Sequence, residues 1–447
     1  MAHRATFGGL LCQRHVLGLL TLGVCLTAAD TLARAGALLP LYENYRLSYA
    51  WATATGTALG VVASVAGTVA APAFDELPVA PLLVLGLALI MAARTALASI
   101  LWRGGSVYLF VGTLVGVGAG ELLAGLPQTF ALQRAVRQYA RGTHGQHLEV
   151  RFFALVYALR NGAAGLGNLA VDALRTRPAS TVTAANMLGL ALAALVTSVG
   201  AGAALMLALP ALWRQDKRTW HGREMSDVIL RARPRPWLRR VRATLRNPAF
   251  WRFAGVCTLL LGANMAFVHM DGTLTMVMQR TLGERANFAW IQMLDAFVPA
   301  VAVPLFQFLL ATQPPYRLFA WGTTASVAAF VPLLVMGTAP PLWAYVLFMV
   351  GFALAESVWA ARFTPYALQA APPGRAGMFL ALASLTSLAM RPLVSWISVT
   401  LVAHYCPPAA AVSCDARAVW AWVAGIAATT PLGLWIGYRW LADKVKA

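Results

Sequence analysis

Charged residues are scarce in this chain. Only 11% of its 447 residues are Asp, Glu, Lys or Arg, whereas 59% are hydrophobic, and the mean hydropathy is +0.66. A soluble protein of this length needs far more charge to keep its surface hydrated, so the shortage excludes the soluble classes of protein. The composition predicts an all-α polytopic membrane protein.

Acids are the scarcer of the two charge types. The chain has 16 Asp and Glu against 35 Lys and Arg, which gives a net charge of +19. Such an excess is typical of proteins that bind nucleic acids. Here most of it lies in short segments on one predicted side of the membrane, which favours topology and contact with anionic lipid headgroups. We therefore expect membrane lipids, and no nucleic acid, as partners.

Signatures of several other functional classes are missing. No phosphate-binding loop occurs, which argues against ATP-driven pumping, and neither His-Glu-x-x-His nor Gly-x-Ser-x-Gly occurs, so we expect no enzyme. The five cysteines lack metal-binding spacing, and we predict no metal and no cofactor. Cys406 and Cys414 flank a Pro-rich loop on the predicted outer face, where a disulfide depends on that face being oxidising.

Long apolar runs make up most of the chain. A membrane-spanning helix needs about 20 apolar residues. Twelve runs meet this length, at 15–39, 49–72, 80–101, 106–131, 150–172, 184–212, 251–278, 287–311, 317–337, 342–365, 377–402 and 418–441. The sequence therefore predicts 12 transmembrane helices.

A basic segment divides these runs six and six. Residues 213–252 contain twelve Lys or Arg and only three acids, as expected of a cytoplasmic loop between two membrane bundles. With the N-terminus inside, the predicted inner segments carry 23 Lys or Arg and the outer loops seven, so we predict that both termini are cytoplasmic. The predicted parts are a six-helix bundle at 1–212, a basic cytoplasmic linker at 213–249 and a second six-helix bundle at 250–447.

The two halves also resemble each other. The first contains Asp30-Thr-Leu and later Ser-Tyr-Ala-Trp51, and the second contains Asp271-Gly-Thr-Leu and later Asn-Phe-Ala-Trp290. Twelve spans, a basic inner loop between the halves and parallel half-repeats resemble the major facilitator superfamily over essentially the whole chain. The resemblance implies a secondary transporter that moves a small solute by alternating access, and we expect it to be a monomer.

The tenth predicted span carries a narrower resemblance. From Glu356 to Tyr366 it reads Glu-Ser-Val-Trp-Ala-Ala-Arg-Phe-Thr-Pro-Tyr, which is similar to the tenth-helix pattern of proton-coupled oligopeptide transporters. The resemblance implies proton symport and a peptide or amino-acid-like solute. Two patterns depart from these families. The first span has Asp30-Thr-Leu-Ala-Arg in place of Glu-x-x-Glu-Arg, and the loop after the second span has Asp75-Glu76 in place of a Gly- and Arg-containing element.

Acids inside the predicted spans are the candidates for proton coupling. Each ionisable group costs about 2.5–3.5 kcal/mol to insert, so such groups usually face a cavity or a partner. The candidates are Glu356, Asp271, Asp30 and Glu121. Asp30 shares a helix face with Arg34, so it is either a proton site or half of a local ion pair. Glu121 follows a ladder of glycines at 112, 116 and 120, which predicts a close helix–helix contact.

His269 invites a metal interpretation together with Asp271. In an unbroken helix these two side chains point in different directions, so joint ligation requires a break, which Gly272 would allow. Asp295 precedes two prolines in the eighth span and suggests a kinked helix that lines a path.

Five further residues are predicted to bind the solute. Arg160 and Asn161 place a guanidinium and an amide near mid-membrane, which suits a carboxylate-bearing or otherwise anionic solute. The alternative is that Arg160 compensates Glu121 on the neighbouring helix. Arg391 lies deep in the eleventh span, and two aromatic residues of the tenth span complete the set, which comprises Arg160, Asn161, Arg391, Trp359 and Tyr366.

A second class of function is compatible with the same sequence. The chain would then be a receptor or scaffold that has a transporter-like fold but no transport activity. The two hypotheses differ in whether the charged residues inside the spans converge on one central site.

Overall fold

The structure is a computed structural model. It describes residues 7–43, 78–103, 107–139, 142–175, 184–220, 234–283, 288–372, 375–407 and 414–441. Within these ranges the regular structure is entirely helical. The helices are α1 (Phe7–Leu11), α2 (Arg14–Glu43), α3 (Val79–Arg103), α4 (Val107–Tyr139), α5 (Gly142–Arg175), α6 (Ala184–Trp220), α7 (Pro234–Leu245), α8 (Pro248–Leu259), α9 (Leu261–Leu282), α10 (Phe288–Leu309), α11 (Pro315–Ala328), α12 (Val331–Val335), α13 (Leu342–Ala370), α14 (Ala376–Tyr405), α15 (Ala416–Ile436) and α16 (Tyr438–Leu441).

The described helices follow the predicted spans closely. Helices cover all of them except 49–72, which lies outside the described residues. Three spans are each divided between two helices: 251–278 between α8 and α9, 317–337 between α11 and α12, and 418–441 between α15 and α16. Among the residues described, eight segments are both long and apolar enough to cross a membrane. The chain is therefore a multi-pass integral membrane protein that is helical in its described parts, and its division into twelve spans stays a prediction.

The seventh predicted span is broken at one point. α8 ends before Leu260, and α9 begins directly after it. The Thr430 hydroxyl donates to the Leu259 carbonyl oxygen and accepts from the Ala263 amide, which satisfies backbone groups beside the break. Gly272, by contrast, lies inside the continuous α9. The helix break that a metal ion shared by His269 and Asp271 would require is therefore absent from α9.

The predicted close contact of the glycine ladder is confirmed for two of its three members. A Cβ atom on Gly120 would lie 2.7 Å from the Gly86 carbonyl oxygen on α3, and one on Gly116 would lie 3.0 Å from the Ala93 Cβ atom. Gly112 faces open space. The α3 and α4 backbones therefore approach each other directly at Gly86 and Gly120, where a side chain would force them apart.

Ion pairs hold one end of the first half together. Asp216 on α6 accepts a hydrogen bond of 2.8 Å from the Ala80 amide at the start of α3 and lies 3.7 Å from Arg134 on α4. Glu149 on α5 accepts from the Arg137 guanidinium at 3.2 Å. These contacts join α3, α4, α5 and α6 at the end where α3 begins. In the sequence, α3 follows the loop that has Asp75-Glu76 in place of a Gly- and Arg-containing element.

The two halves meet along α5. This helix packs against α10 and α13 of the second half, and α4 contacts α14. A Cβ atom on Gly165 would lie 3.1 Å from the Phe297 ring, and one on Gly162 would lie 3.8 Å from the Ala300 Cβ atom. The glycines of α5 therefore allow α10 to approach closely at mid-helix.

The apolar core differs between the two ends of the bundle. We call the end that holds Leu10 and Leu441 the inner end, because it is the end predicted to be cytoplasmic, and we call the opposite end the outer end. At the inner end one buried cluster joins residues of both halves, including Leu132, Phe152, Leu212, Phe253, Tyr366 and Phe379. At the outer end the described clusters are separate: Leu32, Val171 and Leu190 belong to the first half, and Phe348, Cys406 and Trp420 to the second. The described halves are thus closed against each other at the inner end.

A disulfide joins Cys406 and Cys414 at the outer end of the second half. The Asp415 amide donates to the Tyr405 carbonyl oxygen at 2.7 Å beside it. The sequence alone does not decide whether this disulfide forms, and the structure contains it.

Candidate functional site

The central contact between the halves is a hydrogen bond from Tyr157 to Glu356. The Tyr157 hydroxyl on α5 donates to the Glu356 carboxyl on α13, across 199 residues of sequence. Glu356 is only 7% exposed. The contact therefore joins a buried acid of the second half to a polar group of the first.

Asp295 on α10 belongs to the same cluster. Its carboxyl is close enough to interact electrostatically with both Glu356 and Tyr157. The Asp295 carboxyl therefore lies in the same region as the Tyr157–Glu356 hydrogen bond, where α5, α10 and α13 pack together. One turn toward the inner end, Ala154 and Ala361 pack with Val303 and separate this cluster from the inner surface.

Arg160 provides a half-buried cation one helical turn after Tyr157 on α5. Its Nη2 group donates to the side-chain amide oxygen Oε1 of Gln128 at 2.9 Å. Gln128 is 1% exposed and donates to the Leu19 carbonyl oxygen on α2 at 2.6 Å, which fixes the amide orientation. The Arg160 Nε atom is buried and has no hydrogen-bond partner among the described residues. Its guanidinium thus keeps a donor for a further acceptor.

The arrangement places opposite charges on the two halves. Residues three and four apart share a helix face, so Arg160 and Asn161 lie on the α5 face that carries Tyr157. The Asn161 amide donates to the Tyr157 carbonyl oxygen at 3.0 Å. Arg160 contributes the positive charge of the first half, while Glu356 and Asp295 contribute carboxyl groups of the second.

Glu121 lies in a different network. Its carboxylate is 3.5 Å from Arg94 Nη2 on α3, and Arg94 Nη1 donates to the Ser198 hydroxyl at 2.6 Å. Arg94 is only 1% exposed, whereas Glu121 is 32% exposed. The alternative in which Arg160 compensates Glu121 is therefore wrong, because Arg94 is the basic partner. A role for Glu121 in proton coupling stays a prediction.

Three other predicted site residues, Asp30, Asp271 and Arg391, lie on helices, but the structure does not describe what their side chains contact. Asp30 is half-buried on α2 and interacts with a neighbouring group. The side chains of Arg34, Asp271 and Arg391 lie outside the described part of the structure. The predicted roles of Asp30, Asp271 and Arg391 therefore stay predictions.

Trp359 and Tyr366 are packed into the core of the second half. Trp359 is 3% exposed and meets the Phe267 ring edge-on at 5.9 Å. Tyr366 is 4% exposed and meets the Phe319 ring edge-on at 5.2 Å. These placements favour a packing role for both rings, and contact with solute stays a prediction.

His269 and Arg362 also serve the packing of the second half. His269 is fully buried, and its Nδ1 atom lies 2.8 Å from the Thr273 hydroxyl and 3.0 Å from the Ser398 hydroxyl. Arg362 is 5% exposed and donates to the Leu310 carbonyl oxygen at 2.8 Å, beyond the end of α10. No group of three or more metal-ligating side chains occurs among the residues that the structure describes.

Sequence reasoning missed two parts of this site. The pairing of Tyr157 with Glu356 is one of them, because it depends on how helices from different halves pack. Gln128 is the other, although a lone amide after Pro127 within an apolar run is a signal that a buried polar partner is required.

Comparison with known proteins gives the fold. No sequence-family model matches the chain, and no characterised protein sequence matches it. Solved structures match over nearly its full length. A peptide transporter POT in complex with sulfate is 16% identical, with a TM-score of 0.66, and the match covers 96% of this chain and 95% of that one.

Two further structures show the same likeness. A POT family transporter in complex with 5-aminolevulinic acid is 13% identical, with a TM-score of 0.68, and 96% of this chain and 97% of that chain are covered. The human organic anion transporter TETRAN is 15% identical, with a TM-score of 0.65, and 95% and 99% are covered. The predicted resemblance to major facilitator transporters, and to peptide transporters among them, is confirmed at the level of fold. These neighbours are membrane transporters, not enzymes.

Proposed function

We propose that this protein is a secondary active transporter that moves a small polar solute across a membrane by alternating access, coupled to protons. The observation that carries the proposal is the hydrogen bond from Tyr157 to Glu356, with Asp295 beside it. It places a titratable group of one half against the other half at the centre of the bundle. A movement that separates α5 from α13 at this point breaks the bond.

The proposed architecture has twelve spans. Residues 1–212 form the first six-helix bundle, 213–249 the basic linker and 250–447 the second six-helix bundle, and both termini are cytoplasmic. The packing of α5 against α10 and α13 supports a division into halves that meet along these helices. The basic linker supports the inner location of the termini.

Proton coupling follows from the proximity of two carboxyl groups. Two ionised carboxylates in a site with little water repel each other, so binding of one proton lowers the energy of the pair. A cationic group of a solute has the same effect. Proton binding and solute binding at Glu356 and Asp295 are therefore linked, and each alters the bond to Tyr157.

The charges favour a solute that carries both an acidic and a basic group. Arg160 would accept the acidic group through its free Nε donor, with Asn161 close by on the same face. Glu356 and Asp295 would face the basic group. Peptides and amino-acid-like compounds meet this description, and fold neighbours crystallised with 5-aminolevulinic acid or a peptide conjugate support a small polar solute.

The test is proton flux into proteoliposomes that contain the purified protein. An inward proton gradient is applied, and dipeptides, amino acids, sugars and nucleosides are added in turn. Glu356→Gln runs beside the wild type, with Asp415→Asn as a control that removes an acid at the outer end. We expect solute-dependent proton uptake in the wild type and the control and its loss in Glu356→Gln.

The remaining outcomes separate the parts of the proposal. Intact flux in Glu356→Gln would keep the transporter but remove this acid from the mechanism. Solute uptake without proton movement would remove the coupling. If folded wild-type protein moved no solute, a receptor or scaffold with a transporter-like fold would be the better description.

A further inference from the structure

The linker helix α7 carries a concentrated positive charge next to the membrane. Its sequence is Pro-Arg-Pro-Trp-Leu-Arg-Arg-Val-Arg-Ala-Thr-Leu. Eight arginines and no acid lie between Asp227 and Asp271, at 231, 233, 235, 239, 240, 242, 246 and 252. Arg239, Arg242 and Arg246 are exposed. This part of the linker therefore presents guanidinium groups that no acid within the same stretch can neutralise.

The end of α7 is fixed to the second half. Arg375, in the connection between α13 and α14, donates to the Ala243 carbonyl oxygen at 3.0 Å. Thr244 is completely buried. The Trp251 indole donates to the Leu245 carbonyl oxygen at 2.6 Å. The exposed arginines therefore keep a fixed place beside the start of α8.

Exposed indoles place α7 at the level of the lipid headgroups. Trp213 on α6, Trp251 on α8 and Trp440 on α16 are 43%, 56% and 62% exposed, all at the inner end. Tryptophans concentrate at the membrane–water interface because the indole ring is largely apolar and its N–H group is polar. Since α7 immediately precedes α8, its guanidinium groups lie beside the Trp251 layer.

We propose that the C-terminal part of α7, together with Arg246 directly after it, is a binding surface for anionic phospholipids of the inner leaflet. Arg239, Arg242 and Arg246 would contact the headgroup phosphates, for which the planar guanidinium is well suited. Leu245, which is 40% exposed, and Trp251 would lie against the upper part of the acyl chains. Bound lipid would then join the linker and the second half to the leaflet.

The test measures how lipids stabilise the full-length protein in detergent. Phosphatidylglycerol and phosphatidylcholine are titrated in parallel, and thermal unfolding is followed by intrinsic fluorescence. We expect phosphatidylglycerol to raise the unfolding temperature and phosphatidylcholine to have little effect. In Arg239→Ala/Arg242→Ala, the phosphatidylglycerol concentration for half of the shift should rise at least tenfold.

One control variant tests whether loss of charge elsewhere has the same effect, and one control compound tests whether the acyl chains are needed. Arg103→Ala/Arg417→Ala removes the same charge from exposed positions at the outer end and should respond like the wild type. Glycerol phosphate, which lacks acyl chains, should not replace the lipid. The proposal fails if the double α7 variant keeps the full shift, if phosphatidylcholine matches phosphatidylglycerol or if glycerol phosphate suffices.

A salt titration gives a second measurement that needs no variant. Charge-dependent binding at an exposed surface weakens as ionic strength rises. The phosphatidylglycerol shift of the wild type should therefore shrink between low and high NaCl. A shift that does not depend on salt would contradict the proposal even if the alanine variant failed to fold.

Discussion

Tyr157 and Glu356 link the two halves through a single hydroxyl group. Tyr157→Phe keeps the ring and removes the donor, which leaves a buried carboxyl without that partner. A hydrogen bond to a charged group contributes about 1.5–3 kcal/mol, and a change of about 1.4 kcal/mol alters a rate tenfold. We therefore expect the initial rate of solute-dependent proton uptake in proteoliposomes to fall about tenfold or more.

A matched control exists in the same half as Glu356. Tyr345 is also buried, and its hydroxyl lies 3.1 Å from Thr281 rather than from an acid. Tyr345→Phe should keep the wild-type rate of uptake. If both substitutions slow uptake equally, the effect of Tyr157→Phe comes from packing and not from its bond to Glu356.

The positive charge of Arg160 predicts that the carboxylate of the solute is needed for tight binding. Arg160→Gln removes the positive charge of the first half while keeping a donor, so it should raise the KM of a carboxylate-bearing solute about tenfold or more. A solute whose carboxylate is replaced by an amide should be affected far less. The measurement compares uptake of a dipeptide with uptake of its C-terminal amide. Equal loss for both compounds would show that Arg160 does not contact the carboxylate.

Helix packing in the first half depends on the absence of side chains at one crossing. Gly120→Val would place a branched side chain against the Gly86 backbone, and overpacking of this kind costs about 1–3 kcal/mol. We expect a lower unfolding temperature in detergent for Gly120→Val. Gly112→Val adds the same side chain where nothing lies within 4 Å of the added atom and should unfold near the wild-type temperature. Equal losses in both would mean that a branched residue in α4 is itself destabilising.

The elements themselves were largely predictable from the sequence. Length and hydropathy decide where a helix can cross a membrane, so the described helices match the predicted spans within a few residues at most of their ends. The position of the break in the seventh span was not predictable. It depends on Thr430, 171 residues away from Leu259, whose hydroxyl provides the local hydrogen bonds.

The partners of the buried charges were harder to predict. Each charge inside a span signals a partner but does not specify it, because the partner is set by which helix faces meet. For Glu121 the sequence offers Arg160 as one possible partner, whereas the structure pairs it with Arg94, because the sequence does not show that α3 crosses α4 at Gly86. Glu356 was predicted to be important from its depth and context, whereas its contact with Tyr157 arises only when α5 packs on α13.

At the scale of the whole molecule, closure at one end predicts from which side the site is accessible. A cysteine at Asn161, in a chain whose Cys12, Cys25 and Cys257 are replaced by serine or alanine, should react with a membrane-impermeant thiol reagent from the outer side. Reaction from the inner side should be slow because the inner cluster lies in the way. Labelling of right-side-out and inside-out vesicles measures both rates. Faster labelling from the inner side would contradict this reading of the structure.

The apolar nature of the inner closure affects how the balance between the two orientations responds to conditions. Among the described residues, the ion pairs given above lie within the first half and the cluster that joins the halves at the inner end is apolar, so opening this cluster exposes mainly apolar surface to water. Burial of apolar surface weakens on cooling and depends little on screening by salt. A carrier held shut in this way is sensitive to temperature: cold should populate the inward-open orientation, while ordinary changes in ionic strength should leave the balance almost unchanged.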